Sequence, residues 1–254
     1  MASISQKEWK KYVETLRKIS DKAVEEFSEW IVKNLGYEHI ERQVLIDKAY
    51  TIATKYGEAS ASVSAEVYDA IAELSGKVLP AAMPAETAGY SEVAKTVNGI
   101  LKKTESESVL TQAIGLFTKD SAQKTIIQNA QRDNAEIAFV PIAETCPYCI
   151  ALASRGWRKA SMSEYNNDGE PAHLHANCDC TYGVRFNKRM EYRGYNPEVY
   201  KEIYDNAPVP DYAKSTSKNK INALRREQYA QNKDEINAQK RAAYQKRKDD
   251  ESTQ

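Results

Sequence analysis

Cys146-Pro147-Tyr148-Cys149 is followed by His173, His175, Cys178 and Cys180, so all four cysteines and two of the three histidines of the chain fall between positions 146 and 180. A Cys-x-x-Cys places two thiolates on one side of a tight turn, where they can share a metal. A second pair of soft ligands about 25 to 30 residues later completes a tetrahedral zinc site. The favoured ligand set is Cys146, Cys149, His175 and Cys178. Cys180 is the alternative fourth ligand, because Cys178-Asp179-Cys180 offers either thiolate, and His173 is placed to orient a ligand by a hydrogen bond. Four thiolate or imidazole donors make a closed set, the pattern of a structural zinc, whereas a catalytic zinc keeps one position open. The surrounding loops hold little apolar content, so the metal would bring most of their stability. The competing readings are ordinary buried thiols and a redox pair. A thioredoxin-like pair needs its Cys-x-x-Cys to open a helix inside a βαβ unit, and the region upstream reads as helical with no parallel sheet.

Enzymatic chemistry finds little support. A zinc deaminase carries His-x-Glu ahead of Pro-Cys-x-x-Cys; here the cysteine pair comes first, preceded by no such motif, and His173-Leu174-His175 holds no Glu. There is no His-Glu-x-x-His, nucleophile elbow, phosphate-binding glycine loop or Ser/His/Asp set. Two alternatives stand beside a structural role: a zinc-containing nucleic-acid-binding protein, and a metal-finger, HNH-like nuclease with His173 as general base, which lacks an evident acidic set for a catalytic divalent ion. The expectation is a protein that is not an enzyme.

The elements that must position these ligands are mainly helical. Ser5 and Glu8 have capping-box spacing, and Trp9, Val13, Leu16, Ile19, Ala23, Phe27, Trp30 and Ile31 recur every three or four residues, ending near Gly36. The aromatic residues Trp9, Tyr12, Phe27 and Trp30 read as internal core rather than partner contact. Further helices are expected from about Glu38 to Tyr56 (Val44, Leu45, Ala49 and Ile52 inward), Ala59 to Leu74 (Val63, Val67, Ile71 and Leu74 inward), Ser91 to Lys103, Ser106 to Phe117 and Ser121 to Arg132, with Gly57 and Gly76 as stops. Pro80, Pro84 and Gly89 mark a connection over 79–89. Short strands are expected at Ala138–Ile142, Gly156–Lys159 and Thr181–Phe186, framing the cysteines, with a turn at Asn166-Asn167-Asp168-Gly169.

With those residues in place, the cluster resembles the zinc-knuckle region of tailed-bacteriophage head morphogenesis proteins, the MuF-like minor capsid proteins. The likeness is to the branch in which a Cys-x-x-Cys leads into Leu-Ala-Ser-Arg-Gly, here Cys146 to Cys149 and then Leu152-Ala153-Ser154-Arg155-Gly156, with His175-Ala176-Asn177-Cys178-Asp179-Cys180 as the partner half. Ala49-Tyr50, Lys55-Tyr56-Gly57-Glu58-Ala59 and Glu66-Val67-Tyr68-Asp69 resemble that branch's helical part, so the likeness covers about residues 40–205. It implies a minor component of the phage head acting in procapsid assembly, associated with the portal or the major capsid protein, inside the capsid of the virion and in the host cytoplasm during assembly. In that setting Leu152 packs beneath the knuckle, Gly156 takes the positive φ of its exit, and Arg155 bonds a carbonyl or acidic group or is simply solvated.

The overall composition is that of a helix-rich protein with solvated extensions. The chain has 254 residues, with 36 Lys+Arg against 36 Asp+Glu, which excludes a surface that is polycationic throughout. No stretch approaches 18 apolar residues, the length of a membrane span. The first residues lack the apolar core of a signal peptide, so the cysteines are expected in a reducing compartment. The zero net charge is uneven. Between Lys214 and Lys248, eleven positive and three negative residues leave +8, and a repeat of 15 residues aligns Arg225–Tyr229 with Lys240–Tyr244. This basic, Tyr-containing tail is expected to contact packaged double-stranded DNA or an acidic capsid face, or to serve solubility alone. The chain thus divides into a long amphipathic helix (1–36), a helical domain (37–135), a zinc-stabilised α+β knuckle (136–190), an irregular linker (191–213) and a basic repeat tail (214–254).

Overall fold

The Ser5 capping box forms as its spacing predicts. Ser5 Oγ accepts the Glu8 N–H (3.2 Å) and Glu8 Oε2 accepts the Ser5 N–H (2.9 Å), which satisfies two otherwise orphaned donors reciprocally. The computed structural model describes residues 3–34, 36–103, 107–142, 147–167 and 180–206. Within them the chain is mainly helical with a few short strands, and no helix is long and apolar enough to cross a membrane. The basic tail lies outside the described residues.

After β1 (Ser3–Ile4), α1 runs from Gln6 to Lys33 and buries Trp9, Tyr12, Val13, Leu16, Ala23, Phe27 and Ile31. Trp30 is half-buried and stacks on Phe27 at 6.0 Å between ring centroids. The aromatic stripe is therefore internal.

The two helices expected on either side of Gly57 are one. Helix α2 spans Arg42–Leu74 without interruption. Gly57 is a contact rather than a stop: a Cβ there would lie 2.8 Å from Thr87 Cγ2 and 2.9 Å from Ser121 Oγ. The small residue lets α2 approach both the 79–89 connection and the next long helix. Gly57→Val is expected to lower stability by about 1–3 kcal/mol through overpacking, against the helix propensity that disfavours Gly. A denaturant midpoint shift at unchanged slope checks it. Val44 and Leu74, expected inward, are exposed.

Helix α3 (Tyr90–Leu101) buries Val93 and Val97. Helix α4 (Glu107–Arg132) replaces the two helices expected over 106–132. Lys119 and Asp120, which fall in the gap between those two expected helices, are buried in mid-helix. Side chains satisfy the Asp120 carboxylate: it pairs with Lys124 Nζ at 2.6 Å and accepts from Tyr165 Oη at 2.7 Å. Helix α4 is the central element, packed against α1, α2 and α3.

The 79–89 connection is extended and held by side chains of α2 and α4. Asp69 accepts the Ala82 N–H, Asn129 bonds both backbone groups of Met83, Thr125 accepts the Ala85 N–H, and Arg132 donates to the Pro80 and Ala81 carbonyls. Asp133 beside this network accepts from Arg132 (2.7 and 2.8 Å) and from Tyr68 Oη (2.7 Å). The Arg132 bonds, more than the Tyr68 one, hold its carboxyl below the usual range against the opposing effect of burial. A carboxyl depressed on folding contributes stability that is present above its unfolded value, about 4, and is lost as pH falls through the folded value. Asp133→Asn should therefore flatten the acid limb of a pH–Tm curve below about pH 4 and lower Tm above it.

Beyond α4, β2 (Glu136–Val140), α5 (Pro147–Ala153), β3 (Arg158–Lys159), α6 (Met162–Asn167) and β4 (Thr181–Arg185) follow. Strand β2 is the centre of an antiparallel sheet in the order β3-β2-β4, with Ile137 opposite Arg158 and Phe139 opposite Tyr182. Asn166 and Asn167, expected in a turn, close α6, whose start is capped by Ser161 Oγ accepting the Glu164 N–H. Residues after 190, expected to be irregular, form β5 (Glu191–Tyr192) and α7 (Pro197–Asn206). Pro197 begins α7 instead of breaking structure, since its missing N–H is one a helix start leaves unpaired anyway, and Asn196 Oδ1 accepts the Glu198 N–H. Strand β5 pairs in parallel with β1, and the Arg193 N–H bonds Ile4 O at 3.0 Å. One core joins the first half of α1 to the sheet, α5 and β5; a second joins the remainder of α1 to α2, α3 and the first half of α4.

Candidate metal centre

The two halves of the cysteine–histidine set are separated by the remainder of α5, β3 and α6, and the β2–β4 ladder pairs the strands that flank the set. Val140, last in β2, is the partner of Thr181, first in β4. The chain leaves this end of the sheet through Pro141 and Ile142 toward the Cys-x-x-Cys, and it enters β4 through Cys180. Of the six ligand candidates, Cys149 and Cys180 are described; Cys146, His173, His175 and Cys178 lie outside the described residues. Among the described residues no three His, Cys, Asp or Glu side chains gather into a group that could hold a metal.

Cys149 sits in α5, 1% exposed, in the same core as Tyr148, Leu152, Phe139 and Tyr182. Leu152 is buried in the same core. Cys180 is half-buried at the start of β4 and packs against that core. It also lines a cavity of ≈ 20 Å³ with Leu16, Arg17, Lys119 and Gln123, room for about one water. Tyr200 of α7 is its neighbour: burial pushes the phenol up, and the negative charge of a Cys180 thiolate pushes it further. The Cys-x-x-Cys does run into a helix, but β2 and β3 on either side of α5 pair antiparallel. The parallel βαβ setting of a thioredoxin-like pair is absent among the described residues.

The exit from α5 is held by α7. Gly156 adopts φ +65, and a Cβ there would lie 3.3 Å from Pro197 Cβ. Tyr195 Oη donates to Ala153 O at 2.8 Å. Trp157 then packs between Tyr192 (5.3 Å) and Tyr195 (6.0 Å), with the Arg185 guanidinium 4.6 Å from its ring centroid. Arg185 Nε in turn donates to Glu136 Oε2 at 2.7 Å.

Two positioning residues were not singled out from the sequence as neighbours of this centre. Trp9 Nε1 donates to Val140 O at 3.1 Å, tying α1 to the residue at which β2 leaves for the cysteines. Its ring stands edge-on to Tyr192 at 5.0 Å. Tyr192 Oη donates to Val184 O (2.7 Å) and accepts the Val184 N–H (2.9 Å). A buried Trp N–H or Tyr O–H needs a partner, which was the available signal for Trp9; Tyr192 is one of 16 tyrosines and had none.

Thiolate and imidazole donors suit a borderline-soft cation held for structure, and of the described candidates Cys149 is buried and Cys180 half-buried. No curated protein and no solved structure matches the chain significantly. One family model, that of the VG15 protein, matches residues 3–207. The match takes in β1 and α1 as well as the sheet and α7, in keeping with the Trp9–Val140 bond and the β1–β5 pairing that join them, and it stops short of the basic tail. The chain belongs to the VG15 protein family, a family of viral gene products.

Proposed function

We propose that this viral protein is a minor component of a tailed-bacteriophage head, of the MuF-like head morphogenesis kind, that acts in procapsid assembly and carries a structural zinc. The observation that carries the reading is the Val140–Thr181 pairing, which brings the chain ends flanking both halves of the cysteine–histidine set to one end of the sheet. The viral family supports it. Cys146, Cys149, His175 and Cys178 would hold the metal, with Cys180 as the alternative donor and His173 orienting a ligand. The metal's part is to cross-link the loops that leave β2 and enter β4; the protein's own part is to bury Cys149 and fix the strand ends.

In this reading the protein is not an enzyme. Its partners are the portal or the major capsid protein, and packaged double-stranded DNA through Lys214–Lys248. It resides inside the capsid, and in the host cytoplasm during assembly. Mass spectrometry of purified particles tests the reading, combined with metal analysis of recombinant protein. Low-copy presence in particles and about one zinc per chain without DNA cleavage are expected. Absence from particles overturns the capsid role. Divalent-dependent DNA cleavage that is lost in His173→Ala would establish the metal-finger nuclease instead.

A further inference from the structure

Helix α1 buries one face in both cores, and beside the edge where Val24 lies against Gly115 and Ser28 bonds Glu107 of α4 it carries a shallow, solvent-open groove lined by Asp21, Val24, Glu25, Ser28, Glu29 and Val32. Val24, Ser28 and Val32 recur every fourth residue and form its floor; Asp21, Glu25 and Glu29 recur with the same spacing and form an acidic rim. Val32 is 65% exposed, a large apolar side chain left in water. Asp21 and Glu29 have only exposed pairs at 3.8 Å, with Arg17 and Lys33, and Glu25 has no ion pair among the described residues. Exposed, solvent-screened pairs of this kind hold their partners weakly, so the three carboxylates are available to another cation. The face therefore suits an amphipathic, basic helix: periodic apolar residues for the floor, lysines and arginines for the rim.

The chain itself contains such a segment. Ile221-Asn222-Ala223 recurs as Ile236-Asn237-Ala238, in register with the repeat of Arg225–Tyr229 at Lys240–Tyr244, so each copy offers an isoleucine and a tyrosine among basic residues. The reach is sufficient. Helix α7 packs on α5 at the end of the molecule where Arg193 bonds Ile4. From there to Glu25 along α1 is about 30 Å at the helical rise of ~1.5 Å per residue. Residues 207–218 span up to about 40 Å when extended.

We propose that the acidic groove on α1 is the docking site of the chain's own basic segment, residues 219–248. A polyanion such as DNA then competes with the groove for the same lysines and arginines, and the unbound protein keeps its basic segment covered.

The test is zero-length carbodiimide cross-linking of the full chain, with peptides mapped by mass spectrometry, on a mixture of isotopically heavy and light protein. It uses neither particles nor DNA, so its outcome is separate from that of the capsid reading. Cross-links from Asp21, Glu25 or Glu29 to Lys233, Lys240, Lys246 or Lys248 within one chain are expected. They should fall about tenfold between about 0.1 M and 1 M salt, as the Debye length shrinks from about 10 Å to 3 Å. Glu25→Gln, a change at an exposed position, should lower the links at Asp21 and Glu29 about twofold. Absence of these links, links only between heavy and light copies, or links indifferent to both salt and Glu25→Gln overturn the proposal.

Discussion

Chelation of the proposed zinc from purified protein is expected to unfold the sheet end of the molecule and leave the distal helices folded. Structural zinc sites contribute roughly 10–16 kcal/mol of apparent binding free energy to folding, and here the contribution falls on one of two cores. The core containing Cys149 also holds Phe139, Tyr148, Leu152, Tyr182 and Tyr192, whereas the core of Phe27, Ile31, Leu45, Ile52, Val93 and Ile114 holds no cysteine. Far-UV circular dichroism should therefore retain part of its helical signal after chelation, and limited proteolysis should cut after α4. Cys149→Ser should give the same state with zinc content near zero. If Cys149 were only a core thiol, the same substitution would cost about 1–3 kcal/mol for the buried hydroxyl and would not change metal content. Comparing His175→Ala with Cys180→Ser assigns the fourth ligand, since only loss of a true ligand releases the metal.

Tyr192→Ala is expected to destabilise the protein by about 3–5 kcal/mol, the range of large aromatic truncations in cores, seen as a lowered denaturant midpoint. The ring contacts both Trp9 and Trp157, and it lies so close over Gly183 that a Cβ there would come within 2.8 Å. Its hydroxyl satisfies both backbone groups of Val184. The truncation thus opens a cavity where α1, β4 and the exit of α5 meet and leaves buried polar groups unpaired. Tyr192→Phe separates the two effects: it keeps the volume and loses the hydrogen bonds, at a cost of about 1–3 kcal/mol. Because the ring supports the end of β2 through Trp9, the alanine variant should also bind zinc more weakly than the phenylalanine variant.

The elements of the N-terminal half were legible where a local rule has one solution. The Ser5–Glu8 box and the stripe from Trp9 to Ile31 define α1, because a capped segment with apolar residues every three or four positions can bury its face only as a helix. Helix ends differ from the sequence pattern where a residue has two uses. Gly57 has the chemistry of a helix stop and of a close helix contact, and which applies depends on Thr87 and Ser121, distant in sequence. Asp120 falls in the gap between two expected helices, and it is held inside one helix by Lys124 and Tyr165. Pro197 looks like a breaker and begins a helix.

At the candidate centre the division is similar. Residue type and spacing alone marked Cys146, Cys149, His173, His175, Cys178 and Cys180 as one chemical group, because thiolates and imidazoles clustered in so short a stretch have few other uses. Cys149 and Cys180 are placed by the fold, one buried in α5 and one at the mouth of β4, while the other four lie outside the described residues. Only the tertiary structure decided that Val140 meets Thr181, that Trp9 reaches from the first helix to hold that strand end, and that Tyr192 bridges them. The candidate ligand set follows from the chemistry of single side chains, with His175 or Cys180 as its fourth member. Pairing register and long-range aromatic contacts arise from which surfaces bury one another, and no local pattern carries that information.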